Sequence, residues 1–377
     1  MIFLYYFLWF GLAPIFARRY QETAFDSDIV YQAYLYLASS YTVLMLVAMM
    51  VEYTSETRSN FHLSSFSNIQ VAQSKLLLMA CVIIISFVLY IQMTGGVTHW
   101  QQNLDRAFLT RQGAGTWYLI FSLILPLFVF FIRLKYRGIF VLLSLMIVVL
   151  ALSPFIGSKQ KIIHYFLLIF ATWIFCRKFN IRIALSVFMP AALLFVLGNY
   201  FRNASWMTLN DVLGYSLNYF DTLDSLLLVI KEKHYPLEVF SFFLPFNKFA
   251  NLFTGQDAFF DISAYLTNMY FPTAWNIRAT VQFPVEVDLF FSFGYWLGLI
   301  PLAVFIFVYS KIYVRMLYSN KVIYLFIWFN LFIYLMSHLR GGLILWTDFY
   351  MYPYLIIVYF MFKEVKYNVV PWTTKPI

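Results

Sequence analysis

Charge is what this sequence has least of: only 11% of its residues are Asp, Glu, Lys or Arg, while 62% are hydrophobic. A chain of 377 residues with so little polar side chain cannot cover a water-soluble globule. Cysteine is nearly absent too. Cys81 and Cys176 both sit inside apolar runs, which argues against a disulfide framework and against a thiolate metal site. His99, His164 and His234 lack metal-ligand spacing, so neither a metal nor a cofactor is expected. A basic leader is missing as well: the apolar stretch 1–17 ends in Arg18 and Arg19 rather than in small residues. That stretch is expected to be a retained span, not a cleaved signal.

What is abundant is apolar and aromatic, with 44 Phe, 29 Tyr and a mean hydropathy of +0.75. Runs of spanning length lie near 1–17, 30–51, 75–93, 115–133, 137–155, 161–176, 181–200, 287–310, 321–337 and 343–362. The expectation is an all-α polytopic membrane protein of about ten transmembrane helices. About seven of them fall in residues 1–200 and about three in 286–377, separated by one large loop over 201–285. The net charge of +9 reads through the position of the basic residues, since Lys and Arg hold loops on the cytoplasmic side. Nucleic acid is not an expected partner.

Three short basic connectors orient the chain: Arg133, Lys135 and Arg137, then Arg177, Lys178 and Arg182, then Lys311, Arg315 and Lys321. All are expected inside, which puts both termini in the cytoplasm and the 201–285 loop outside. The segment from Glu52 to Ser74 fits this count least well, because it is also placed inside and carries little positive charge. The outer side then gathers Arg18, Arg19, Asp26, Asp28, His99, Asp105, Arg106, Arg111, Lys159, Lys161, His164, the charges of the large loop, His338, Arg340 and Asp348. Outer arginines run against the positive-inside tendency. Anion binding is one reason to keep them, and interfacial snorkelling or pairing with a carboxylate is the plainer one.

Within the large loop, Asp211, Tyr215, Asn218, Thr222 and Ser225 recur at alternating spacings that align them on one helical face, opposite Leu209, Val212, Leu213, Leu217 and Phe220. An amphipathic helix lying on the membrane is expected over 208–233. Pro236, Pro245, Gly255, Pro272 and Pro284 divide the remainder into short helices and turns, with Phe242, Phe243, Phe246, Phe249 and Phe253 available to dip into the interface. Such a loop can guide a lipid-linked substrate or simply cap the bundle.

The run 280–310, TVQFPVEVDLFFSFGYWLGLIPLAVFIFVYS, carries Glu286, then Phe293 with Gly294, then Gly298. It resembles the segment that follows the large outer loop in O-antigen polymerases of the Wzy type. SPFIGSKQK around Gly157 and Ser158, and HLRGG from His338 to Gly342, are similar to two further pieces of that family, and the layout agrees along most of the chain. Two features depart from it. Lys159 stands where the family usually has Arg, and eleven residues after Arg278 stands Leu289 rather than Gly.

The resemblance implies glycosyl transfer on the outer face of a bacterial cytoplasmic (inner) membrane. A polysaccharide on undecaprenyl pyrophosphate is moved onto another lipid-linked repeat unit, and the lipid pyrophosphate leaves. Membrane lipid, a flippase and a chain-length regulator follow as partners. The leaving group is already activated, so the protein must neutralise its developing charge with Arg or Lys and take a proton from the attacking hydroxyl. Arg278, Arg340, Arg202 and Lys159 are the candidates for pyrophosphate contact, with Gly341 and Gly342 expected to let backbone N–H groups approach a phosphate. For the base the order is Glu286, His338, Asp288. Glu286 has a plainer reading as the ion-pair partner of Arg278 or Arg340.

Three other readings stay open. Asp26-Ser-Asp28 is similar to the acidic motif in the first outer loop of GT-C glycosyltransferases, where it binds a divalent metal or acts as base; the preferred, plainer reading is a helix N-cap for the second span. A flippase or transporter for lipid-linked glycans would carry charge buried at mid-membrane. An O-antigen ligase shares the polymerase layout.

Overall fold

Long apolar runs without interior glycine form helices, and helices are what the computed structural model contains. It describes residues 5–14, 25–55, 71–102, 114–136, 138–156, 159–175, 221–232, 239–254, 259–273, 281–317 and 321–365, with single positions at 189, 193 and 196. A short π-helix occupies Phe7–Leu12. It is followed by α1 (Ser27–Thr54), α2 (Gln73–Met93), α3 (Gly96–Gln102), α4 (Gly115–Lys135), α5 (Ile139–Ile156) and α6 (Lys159–Phe175). The second half holds α7 (Leu223–Glu232), a 3₁₀ helix (Val239–Phe246), α8 (Asn247–Thr254), α9 (Ile262–Tyr270), α10 (Val285–Leu317), α11 (Val322–Gly341) and α12 (Asp348–Phe362). The stretches containing α1, α2, α4, α10 and α11 include 5 helices long and apolar enough to cross a membrane. The protein is an all-α membrane protein.

The chain divides into two units. The first comprises Met1–Arg58, Thr208–Leu317 and Tyr334–Pro353. In it α1 packs along α10, and α7 lies against both. The second comprises Ser59–Met207, Tyr318–Ile333 and Tyr354–Ile377. There α4 is the central helix, packed against α2, α6 and α5. Its Phe130 and Phe131, both buried, meet Phe326 and Phe362 at ring-centroid distances of 5.5 and 4.4 Å.

The apolar run 287–310 is not one helix. At Gly294 the backbone turns to φ 73°, ψ −171°, a conformation open to glycine and strained for other residues. The chain folds back there. A Cβ placed on Gly298 would lie 2.8 Å from the Leu289 carbonyl oxygen, whereas an unbroken helix separates residues nine apart by about 13 Å along its axis. Residues 285–293 thus form a short arm doubled against the helix that continues from 295. Every side chain from Val285 to Phe291, and Ser292 after them, is buried. Tyr36 of α1 closes the bend, its ring 5.1 Å from Phe290 and 5.3 Å from Tyr295.

The expected amphipathic helix over 208–233 is described only from 221, and α7 turns its polar stripe inward. Thr222 and Ser225 are buried, and the Ser225 hydroxyl donates to the Gln282 carbonyl at 3.0 Å. A polar stripe need not face water when a neighbouring backbone needs hydrogen-bond partners. Further along, Phe243 and Phe253 are exposed, while Phe246 and Phe249 meet Phe349 edge-on at 4.9 and 5.0 Å.

Candidate functional site

In the first unit, a segment without regular secondary structure, 281–284, leads into the arm. It is held on one side by α9, whose Ser263 and Thr267 are one helical turn apart and so face the same way. The Thr267 hydroxyl accepts from Val281 N–H at 2.9 Å, and Ser263 accepts from Phe283 N–H at 3.4 Å. Asp261 starts α9 by accepting from Ser263 N–H at 2.7 Å. Burial raises the pKa of that carboxyl, and its bonds to backbone N–H groups pull the other way. Ser225 holds the opposite side of the segment. Gln282, fixed between them, accepts through Oε1 from the Arg340 Nε.

The arm then carries three polar side chains inward. Asp288 holds the loop after α11: Leu343 N–H donates to its Oδ2 at 2.8 Å, and the Ser292 hydroxyl donates to Oδ1 at 3.2 Å. Gly342 is required beside it, with φ 111° and a notional Cβ 2.7 Å from Ile262 Cγ2 and 3.0 Å from Asp288 Oδ2. Glu286, wholly buried, is bonded by two phenols from the start of the chain, Tyr6 at 2.6 Å to Oε1 and Tyr5 at 2.9 Å to Oε2. These tyrosines belong to a ring cluster with Trp9 and Phe10, and aromatic pairs of this kind contribute about 0.5–1.5 kcal/mol each.

The end of α11 supplies the basic groups. His338 is buried, with Phe305 at 5.2 Å, Tyr309 at 6.2 Å and Tyr334 at 6.1 Å between ring centroids. Its Nε2 lies 3.3 Å from Asp348 Oδ1 and 3.4 Å from the Tyr352 hydroxyl, and its Nδ1 lies 3.4 Å from the Gly342 carbonyl. An acceptor therefore stands beside each ring nitrogen, and the ring can hold or pass a proton at either. Asp348 is itself oriented by Leu345 N–H, which donates to Oδ2 at 2.9 Å. Tyr352 continues the network to Tyr309, hydroxyl to hydroxyl, at 3.1 Å.

The structure thus brings Glu286, Asp288, His338 and Arg340 into one unit. Arg278 and Arg202 lie outside the described residues. Lys159 is the first residue of α6 and belongs to the other unit. Two expectations change. The N–H groups after Arg340 are already used: Gly342 N–H closes onto the His338 carbonyl at 3.1 Å and Leu343 N–H onto Asp288. A helix C-terminus is also the negative end of its dipole, so it favours the Arg340 guanidinium rather than a phosphate on its backbone. Among the described residues the side chains bonded to Glu286 are phenols, where Arg340 was one of the two arginines expected; Arg278, the other, lies outside the described residues. Asp26 occupies the N-cap position of α1 without a side-chain capping bond.

Sequence reasoning passed over Tyr5, Tyr6, Gln282 and Tyr352 as site residues, and placed Asp348 outside without a role. Asp348 had a signal: it shares the last outer loop with His338 and Arg340. The two tyrosines had none, being 281 and 280 positions from Glu286.

No family model, no curated protein and no solved structure matches the chain. The fold and site define a helical membrane protein whose first unit buries an acid–base network. What that network does must be argued from its chemistry.

Proposed function

We propose that this protein is a polymerase that joins undecaprenyl-pyrophosphate-linked oligosaccharide repeat units into a surface polysaccharide. It works on the outer face of a bacterial cytoplasmic membrane, with about ten spans, both termini inside and the 201–285 loop outside. The observation that carries this reading is the end of α11. There a histidine with an aspartate beside it stands two residues from an arginine that a glutamine orients.

In the reaction the acceptor hydroxyl attacks the anomeric carbon of the donor, the bond from that carbon to the pyrophosphate oxygen breaks, and the lipid pyrophosphate departs with the electron pair. His338 takes the hydroxyl proton, and Asp348 stabilises the imidazolium that forms. Arg340, with Arg278, Arg202 and Lys159 as further candidates, neutralises the leaving group. His338 takes precedence over Glu286 and Asp288 as base because Asp348 stands 3.3 Å from its ring to stabilise the imidazolium once the proton is taken.

One pair of observations favours a second reading, a transporter of lipid-linked glycans: two buried acids and a helix broken at Gly294 are features of substrate sites in transporters. Purified protein in liposomes with a lipid-linked repeat unit separates the readings. Chain elongation with release of undecaprenyl pyrophosphate, insensitive to a metal chelator, supports the polymerase. Movement of the unit across the bilayer without elongation supports the transporter, transfer only to a lipid A core supports a ligase, and chelator-sensitive transfer of single sugars from a lipid monophosphate supports a GT-C enzyme.

A further inference from the structure

The hydrogen bonds between Glu286 and the two phenols can be followed proton by proton, its own backbone N–H being a further donor to the carboxyl. The Tyr5 hydroxyl oxygen lies 2.6 Å from the Leu339 carbonyl oxygen and 2.9 Å from Glu286 Oε2. A phenol has one proton to give, and a carbonyl can only accept. At 2.6 Å the Leu339 contact is the shorter of the two, so the Tyr5 proton belongs there. The Tyr5–Glu286 contact then needs a proton from the other side. A carboxylate has none, and would set its lone pairs against those of the phenol in a place from which Glu286 is wholly shielded from solvent. Oε1, by contrast, accepts from Tyr6 at 2.6 Å, as the carbonyl oxygen of a neutral acid would.

We propose that Glu286 is a neutral carboxylic acid in the resting protein and acts as a positioning residue, through a directed chain from Glu286 O–H to the Tyr5 oxygen and from Tyr5 O–H to the Leu339 carbonyl. Leu339 lies between His338 and Arg340 in the last turn of α11, where carbonyls run out of helical partners. The chain supplies that partner and ties the turn bearing both basic residues to the arm at 285–293. Tyr6 fixes which oxygen of the acid carries the proton. The protonation claim stands on the geometry alone; its consequence for elongation rests on the polymerase reading.

The test is infrared difference spectroscopy of the purified, membrane-reconstituted protein at neutral pH, wild type minus Glu286→Gln. A protonated-acid C=O band that shifts in D2O and is missing from the variant is expected. Tyr5→Phe provides an independent reading even if Glu286→Gln fails to fold, because loss of the phenol oxygen moves the same band upward. In the elongation assay Glu286→Gln, whose amide donates to Tyr5 and accepts from Tyr6, stays within about twofold of wild type, while Tyr5→Phe falls roughly tenfold, the worth of one buried hydrogen bond.

Absence of the band, or a folded Glu286→Gln that is inactive while wild type elongates, would overturn the proposal. If wild type itself does not elongate, the band still decides the state of Glu286, and only the polymerase reading is lost.

Discussion

The two units bury polar groups in different ways. In the second, buried Ser86, Ser122 and Asn330 bond to carbonyls three or four residues back in their own helices, and Arg133 donates to the carbonyls of Ile169 and Tyr136. These bonds all end on backbone carbonyls, those of the serines and Asn330 within their own helices and one from Arg133 on a helix 36 residues further on. In the first unit, Glu286 and Asp288 reach side chains and backbone from distant parts of the chain, and His338 meets the Asp348 side chain at the start of the next helix. Burying such groups is costly unless each is paired, and pairing across long sequence separations requires several segments to be placed at once. The polymerase proposal accordingly places its chemistry in the first unit and leaves the second as scaffold.

That contrast can be broken most severely at His338. His338→Ala should lower elongation by about 100-fold or more while the protein still reaches the membrane at the wild-type level; polymer length and membrane abundance are the two readouts. Next comes the backbone that holds the acids. Gly342→Ala forces a side chain onto φ 111° and against Ile262 and Asp288, which should destabilise the protein by about 2–3 kcal/mol, read as lowered thermal stability in detergent.

A matched substitution in the scaffold should do less. Tyr354→Phe removes the bond to the Leu123 carbonyl at 2.6 Å, with a loss of about 1 kcal/mol and no change in polymer length. A large change in length would show that the second unit is more than a scaffold.

The smallest effect lies at Asp221, in the loop. Burial, with Asp224 nearby, raises its pKa from the ordinary 3.8 to about 6, against the bond from Leu223 N–H. A carboxyl with a raised folded-state pKa favours folding while protonated. Its contribution is full below its ordinary value and is lost as pH rises through about 6. Stability measured against Asp221→Asn should therefore fall over that window, and a flat difference would contradict the assignment.

Much of this was legible before the structure. The runs 30–51, 75–93 and 115–133 each lie within one helix, and 321–337 does so from Val322, because length and apolar content are local properties. The bend at Gly294 was not legible, since hydropathy is the same in a straight span and in a hairpin. Gly294 and Gly298, two of the residues behind the resemblance, turn out to be demanded by backbone geometry. Glu286 and His338 stood out as rare charges in apolar surroundings. Their partners did not, because Tyr5 and Tyr6 are two among 29 tyrosines and nothing local marks them as hydrogen-bond partners of a residue so far along the chain.

The most direct measurement is the surface polysaccharide of a host with this gene deleted and then complemented, at equal protein levels, with wild type, Arg340→Ala or His338→Ala. If the first unit polymerises lipid-linked repeats, deletion leaves a core with a single repeat, wild type restores the long ladder, and neither variant does. An unaltered ladder on deletion, or full restoration by both variants, would contradict it.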